Sequence, residues 1–492
     1  MSCLLAIDQS TSATKAILFD PQGRAVDAES REHRQLYPRP GWVEHDAEEI
    51  WQNTLSVVGA LCTRQRELAD QALGVAITNQ RETVVVFDRA TGKPLAPAIV
   101  WQCRRGDAVC DELRTAGHEA IVQAKTGLKL DAYFSASKLA WLVRERPEIA
   151  ERLRSGDALI GTIDAYLIYR LTGGAVHATD TSNASRTLLY DIGALAWDDE
   201  LCGLFGVPVA ALPEVRESFA HFGETDLGGA FRGPKPICGV MGDSQASLFA
   251  QRCYATGEAK ATFGSGTSVL VNIGPECRMP EAGAVAALAW VHRGEPTYAW
   301  EGIINYSAAT IAWLKDQLGL IDDAATTGEL ASSVEDNGGV YLVPAFAGLS
   351  APHWRPDARG AILGMTAHTT RAHVVRAALE SIALQIRDVL DAMADEGSPR
   401  PAMLFADGGP TRNEVLMQMV ADLARVEVTV AQLPESSATG AVLAGLLGLG
   451  VVGSFDELRG LTRETRVYRP ELPEPRADEL VAGWRAAVRR VL

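Results

Sequence analysis

The sequence predicts an α/β protein built as two similar halves. Three observations carry that expectation. Short apolar strands alternate with helical stretches, and glycine turns close many of the strands, the pattern of α/β domains with ligands at strand ends. At 492 residues the chain exceeds what a single hydrophobic core usually supports. One local design also occurs twice: an apolar strand, a turn rich in serine, threonine or glycine, then a second apolar strand. It spans 4–20 and recurs over 260–273.

In the first copy the turn holds Asp8, Thr11, Ser12, Thr14 and Lys15. A strand is expected over 26–30. The proline-rich stretch 37–46 reads as an irregular loop ending in Asp46, a helix N-cap with Glu48 and Glu49 in the first turn. Strands follow at 73–77, 84–87 and 99–101. From 107 to about 170 the periodicity is helical. Residues 207–222 read as loop and turn, and 235–241 as a buried strand. The second half repeats the order. After the hairpin at 260 come strands at 285–291 and 297–300, a helix over 306–318 and a strand at 340–346. An amphipathic helix covers 370–394, with Val374, Val375, Ala378, Ile382, Ile386 and Leu390 near one face. A strand at 403–406, a helix at 413–423, a strand at 427–430 and a helix at 436–447 complete it. The expected division is 1–252 and 253–492. The glycine-rich apolar run 440–453 is too short for a bilayer, so no membrane insertion is expected, and it reads as a buried helix packed closely on a sheet.

Net charge is −16, against the basic face that nucleic-acid binding requires. The eight cysteines form neither a Cys-x-x-Cys pair nor a disulfide-like framework. A reducing, cytoplasmic setting is expected. The short apolar run 3–7 leads straight into polar turn residues and does not read as a signal peptide.

Both hairpin turns suit phosphate. Glycines let the backbone approach a ligand, and the hydroxyls of Ser265, Thr267 and Ser268 add donors. A Gly-Ser-Gly hairpin is in itself an ordinary turn; two such hairpins suggest two halves gripping one polyphosphate. Arg81 and Glu82 follow a buried-looking strand. They read either as a solvated turn or as a pair recognising a diol, the arginine donating to a hydroxyl and the glutamate accepting from it. Trp101 and Tyr133 are core aromatics or the walls of a small hydrophilic ligand. Asp243 follows a buried strand and precedes a helix, as an N-cap or as a general base for an attacking hydroxyl. Phosphoryl transfer needs positioning, a metal and one such base, and Asp8 can take the metal side. Asp407-Gly408-Gly409, with Asn413 beyond, is a common turn that can also hold an adenosine.

Longer patterns identify a relationship. The stretches 37–46, Thr78-Asn-Gln-Arg-Glu82, Trp101-Gln-Cys-Arg-Arg105, Asn183-Ala-Ser-Arg186, Tyr133 through Glu145, and Gly360 through Glu380 resemble the FGGY carbohydrate kinases, and within them the branch acting on glycerol. The resemblance runs over about residues 4–470. It implies two actin-like (ribonuclease H-like) ATPase domains flanking a deep cleft, and transfer of the γ-phosphoryl group of MgATP to a primary hydroxyl of a small polyol, glycerol first. Arg81, Glu82, Trp101, Tyr133, Asp243, Ser244 and Ser268 would line the polyol. Asp243 would be the base and, with Asp8, would sit by Mg2+. Thr11, Ser12, Thr14, Lys15, Ser265 and Gly266 would surround the phosphates, and Ala308, Gly409 and Asn413 would meet the nucleotide. Relatives pair as homodimers or homotetramers.

Several residues depart from the family pattern. Lys15 stands for an arginine, Ser10 and Ser265 for glycine and threonine, and Pro410 for an alanine. Ser244 replaces a glutamine and Ser268 a phenylalanine beside the substrate, which implies a larger, wetter pocket and makes a tetritol, a pentitol or a ketose the alternative substrate. The stretch 228–235 differs from the loop that binds a sugar-bisphosphate inhibitor in some relatives. A non-catalytic actin-like ATP-binding protein would lack the Arg81, Glu82 and Asp243 set.

Overall fold

The first strand, Cys3–Gln9, is buried along nearly its whole length, as a strand covered on both faces must be. It pairs antiparallel with Ala13–Phe19 and parallel with Ala72–Asn79, which runs parallel to Lys235–Gly242. Ala25–Glu32 and His221–Thr225 close the edges of this six-stranded sheet. The computed structural model describes residues 2–281, 283–431, 435–461 and 464–492.

The second half repeats the wiring. Ala259–Phe263 pairs antiparallel with Thr267–Gly274 and parallel with Met403–Asp407, which runs parallel to Glu427–Ala431. Glu295–Ile304, Val285–His292 and Thr465–Tyr468 extend it to seven strands. Each half therefore carries its serine-rich turn at the same place, between the central strand and its antiparallel neighbour. The expected boundary at 252/253 falls between helix Asp243–Ala250 and strand Ala259–Phe263.

One expected region is corrected. The stretch 107–170 is not helical throughout. Helices Asp107–Thr115, Glu119–Thr126, Ser135–Glu145, Pro147–Ser155 and Ile163–Leu171 are interrupted by a fully buried strand, Ala158–Thr162. That strand joins Val84–Asp88, Ala98–Ile99 and Glu44–His45 in a separate four-stranded sheet. An apolar run of five residues between helices has no periodicity of its own, so the long-range pairing decides it.

Helix Ser436–Gly448 comes late in the chain yet packs on the first half's sheet, against Lys235–Gly242, Ala72–Asn79 and Cys3–Gln9. Its Ala438, Ala441 and Val442 share a core with Leu4, Ala6 and Phe19. It also lies against helix Asp243–Ala250, where a Cβ on Gly440 would stand 1.8 Å from the Ala246 carbonyl oxygen. Gly440→Ala is therefore expected to destabilise the fold by about 3 kcal/mol, the upper end of the usual overpacking penalty, in urea unfolding. An unchanged midpoint would mean the two helices can move apart freely.

Candidate active site

The polyol residues expected from the sequence converge on the end of strand Ala72–Asn79. Gln80 and Arg81 leave that strand, and Glu82 sits at φ +61°, a left-handed backbone that a glutamate rarely adopts. Such strain persists where surrounding contacts over-determine it. Here they do, because both side chains are locked. Arg81 is 5% exposed; its Nε lies 3.1 Å from Asp243 Oδ1, its Nη1 donates to Gln245 Oε1 at 3.0 Å and its Nη2 to Glu301 Oε1 at 3.0 Å. Glu82, also buried, accepts from Arg186 Nε at 2.6 Å and stands 3.9 Å from Arg81 Nε. Arg186 Nη1 lies 2.8 Å from Glu301 Oε2.

Two guanidiniums thus face three carboxylates. Burial pushes the Glu301 carboxyl up, but Arg186 and then Arg81 outweigh it and hold it well below its ordinary value. Burial raises Glu82, against the pull of Arg186 and Arg81. Asp243 differs from the other acids: 44% of its side chain is exposed, so one carboxylate of the cluster opens to solvent. It is not the N-cap. Helix Asp243–Ala250 is capped by Gly242, and Asp243 is its first residue, with Oδ1 accepting from the Ser244 N–H at 2.7 Å.

Trp101 and Tyr133 meet with ring centroids 5.2 Å apart, and the Arg186 guanidinium lies 6.0 Å from the Tyr133 ring. Buried Lys138 holds this wall in place by donating to the carbonyls of Ala132, Tyr133 and Phe134. Trp101 Nε1 donates to Thr11 Oγ1 at 3.0 Å, which ties the aromatic wall to the first serine-rich turn.

In the second turn, the carbonyls of Gly264 and Ser265 accept from the N–H groups of Ala308 and Ser307 at 3.1 and 2.7 Å, anchoring the turn to the start of helix Ala308–Asp316. A Cβ on Gly266 would sit 2.2 Å from the Ile304 carbonyl oxygen, so only glycine fits there. Among the described residues the N–H groups of Thr11, Ser12, Ser265 and Gly266 have no acceptor, leaving a pair of free amides in each turn. Ala308, Gly409 and Asn413 line one cavity of about 820 Å³, with Ile311, Thr327 and Leu379.

Four of the expected residues are already buried or engaged by the protein itself. Thr14 is fully buried, with its hydroxyl unpartnered among the described residues. Lys15 is not free: Nζ binds both carboxylate oxygens of Glu435, at 2.9 and 2.8 Å. The Asn413 amide is occupied at both ends, since it caps helix Glu414–Ala424 by accepting from Leu416 N and donates to Thr327 Oγ1. The Ser268 hydroxyl does not add an open donor; it donates to Glu301 Oε1 at 2.9 Å. Ser244 is half-buried in the first turn beside Asp243. Glu301, Arg186, Gln245 and Lys138 form the frame of the site and had no assigned role in the sequence. The only sequence signal for Glu301 is an acid set among apolar residues near the end of strand Glu295–Ile304.

Asp8 is half-buried beneath this cluster. Burial pushes its carboxyl up to about 7, with Glu435 and Asp243 adding to the rise against Lys15. Among the described residues no three acids, histidines or cysteines converge as a protein-built metal centre. Mg2+ needs less: it keeps waters and takes one or two carboxylates plus phosphates. Asp8 and Asp243, with negative charge in excess around Asp8, fit a cation brought in by a nucleotide.

The N-terminal domain model of the FGGY family of carbohydrate kinases matches residues 3–250, and its C-terminal domain model matches residues 259–449. A glycerol kinase of Desulfitobacterium hafniense is 45% identical over 489 residues, 99% of each chain. Glycerol kinase 1 of Thermotoga maritima is 44% identical over 490 residues, again 99% of each. The crystal structure of Plasmodium falciparum glycerol kinase with ADP superposes with a TM-score of 0.94 at 35% identity, covering 100% of this chain and 98% of that one. A ligand-bound xylulose kinase from Lactobacillus acidophilus shares the fold, with a TM-score of 0.89 at 19% identity over 100% and 98% of the two chains.

Proposed function

This chain belongs to the FGGY family of carbohydrate kinases, and on that premise we propose that it transfers the γ-phosphoryl group of ATP to a primary hydroxyl of glycerol. The observation that carries the reading is the Arg81–Asp243 pair at 3.1 Å, in a buried charge cluster in which the Asp243 side chain is 44% exposed and both Nη atoms of Arg186 lack a hydrogen-bond partner among the described residues. Arg81 and Glu82 orient the polyol, and Trp101 and Tyr133 cover its carbon faces. The Asp243 carboxylate takes the hydroxyl proton as the oxygen bonds to the γ-phosphorus. The bond from that phosphorus to the ADP oxygen breaks, and ADP leaves with the electron pair. Mg2+, held by Asp8 and Asp243 directly or through water, neutralises phosphate charge when bound. Thr11, Ser12, Ser265 and Gly266 present free amides to the phosphates, and the cavity at Ala308, Gly409 and Asn413 takes the nucleoside. With the division at 252/253, one serine-rich turn belongs to each half, as a grip on one polyphosphate from both halves would require.

Glycerol is placed ahead of longer polyols because relatives 45% and 44% identical over 99% of this chain are glycerol kinases, and because the Ser268 hydroxyl, bonded to Glu301, adds no open donor to the pocket. The test is kcat/KM with MgATP for glycerol, erythritol, the pentitols, dihydroxyacetone and xylulose. Glycerol is expected to lead by about tenfold or more, the scale of discrimination that a changed pocket end supplies. A four- or five-carbon polyol in the lead would overturn the choice and make Ser244 and Ser268 the determinants. The pair Ser244→Gln with Ser268→Phe would then restore preference for glycerol.

A further inference from the structure

The first serine-rich turn is held from behind by a residue outside it. The backbone N–H of His33 donates to the Ser12 carbonyl at 3.1 Å, and its ring Nε2 lies 2.9 Å from the Thr11 carbonyl oxygen. A carbonyl only accepts, so Nε2 carries the proton. The ring is 8% exposed and packs edge-on against His45, with centroids 4.6 Å apart. Burial keeps it below its ordinary pKa, hence neutral, and its Nδ1 has no hydrogen-bond partner among the described residues. His33 is itself anchored where strand Ala25–Glu32 ends: the Glu32 carbonyl accepts from Asn53 Nδ2 of helix Ala47–Arg64 at 3.1 Å. On the other flank Trp101 holds the Thr11 hydroxyl.

These contacts fix a direction. A trans peptide is planar, and its C=O and N–H point to opposite sides. With the Thr11 carbonyl drawn to the His33 ring, the Ser12 N–H must face away from it. Ser12 is exposed, and that N–H has no acceptor among the described residues. We propose that His33 is a positioning residue: it orients the Thr11–Ser12 peptide so that the Ser12 N–H meets a phosphate oxygen of the bound nucleotide. The proposal rests on the phosphate reading of this turn given above. His33 acts through the turn and touches neither substrate.

Two variants separate the donor from the ring. His33→Phe keeps the aromatic volume and loses the N–H; His33→Gln keeps an amide N–H at similar reach. KM and kcat are measured separately for MgATP and for glycerol, and affinity for MgADP and a non-hydrolysable ATP analogue by calorimetry. His33→Phe is expected to raise KM for MgATP about five- to tenfold, the loss of one net hydrogen bond, with KM for glycerol unchanged. His33→Gln is expected to recover most of that loss. An unchanged KM for MgATP in His33→Phe, a parallel rise in both KM values, or a His33→Gln no better than His33→Phe would each overturn the proposal. Should the wild-type protein phosphorylate no polyol, the functional reading fails, and calorimetry with the same variants still decides the role of His33.

Discussion

Asp243→Asn is expected to lower kcat by about a hundredfold to ten-thousandfold, the contribution of a positioned general base. The amide has the shape of the carboxylate but cannot take the proton from the attacking hydroxyl. Stability should change little, because the side chain is 44% exposed and Arg81 keeps Gln245 and Glu301 as partners. Steady-state turnover together with thermal unfolding makes the distinction. A kcat within tenfold of wild type would remove Asp243 from the role of base and leave it as a partner for Arg81.

Glu301→Ala is expected to have the largest effect on the fold. It would strand two buried guanidiniums, Arg81 and Arg186, with only Glu82 and Asp243 against them, and would free the Ser268 hydroxyl. Removing one member of a buried ionic network costs about 3–5 kcal/mol, because the charge left behind stays desolvated. Urea unfolding at neutral pH measures this directly, and glycerol phosphorylation should fall with it as Arg81 loses its orientation. The pH dependence has a definite sign. A carboxyl held below its ordinary value of 4.5 contributes fully above that value and loses its contribution as pH falls beneath it. The deficit of the variant should therefore be constant around neutrality and shrink only in acid. A loss below about 1 kcal/mol would mean water replaces the carboxylate, and that the network is less closed than its burial implies.

What the sequence revealed and what it hid follow from the range of the interactions. The duplicated strand–turn–strand units were legible because their signal is local: apolar alternation broken by hydroxyl and glycine residues. Asp243 was legible as an acid at the end of a buried strand, though its place one residue inside the helix was not. Glu301 escaped because its partner Arg81 lies 220 residues away, and an acid set among apolar residues does not announce which cation it will meet. Arg186 was visible only within a longer matching stretch, without a role. The Ser268 hydroxyl and the Asn413 amide, read from the sequence as open donors, are engaged within the protein for one reason. A polar group inside a fold binds whatever neighbour is supplied, and half-buried Ser268 and Asn413 meet Glu301 and Thr327. Strand Ala158–Thr162 was hidden because its pairing partner, not its own residues, distinguishes it from the helices on either side.

Helix Ser436–Gly448 has a consequence for how the protein is made. Leu4, Ala6 and Phe19 are synthesised long before Ala438, Ala441 and Val442 of the helix that covers them. Until it arrives, the growing chain carries a finished set of strands with one greasy face bare. Domains generally fold in order of synthesis, and exposed apolar surface of that kind invites aggregation. This nascent chain is therefore expected to depend on holding chaperones until Ser436–Gly448 has been made, and the sheet under that helix is expected to settle late.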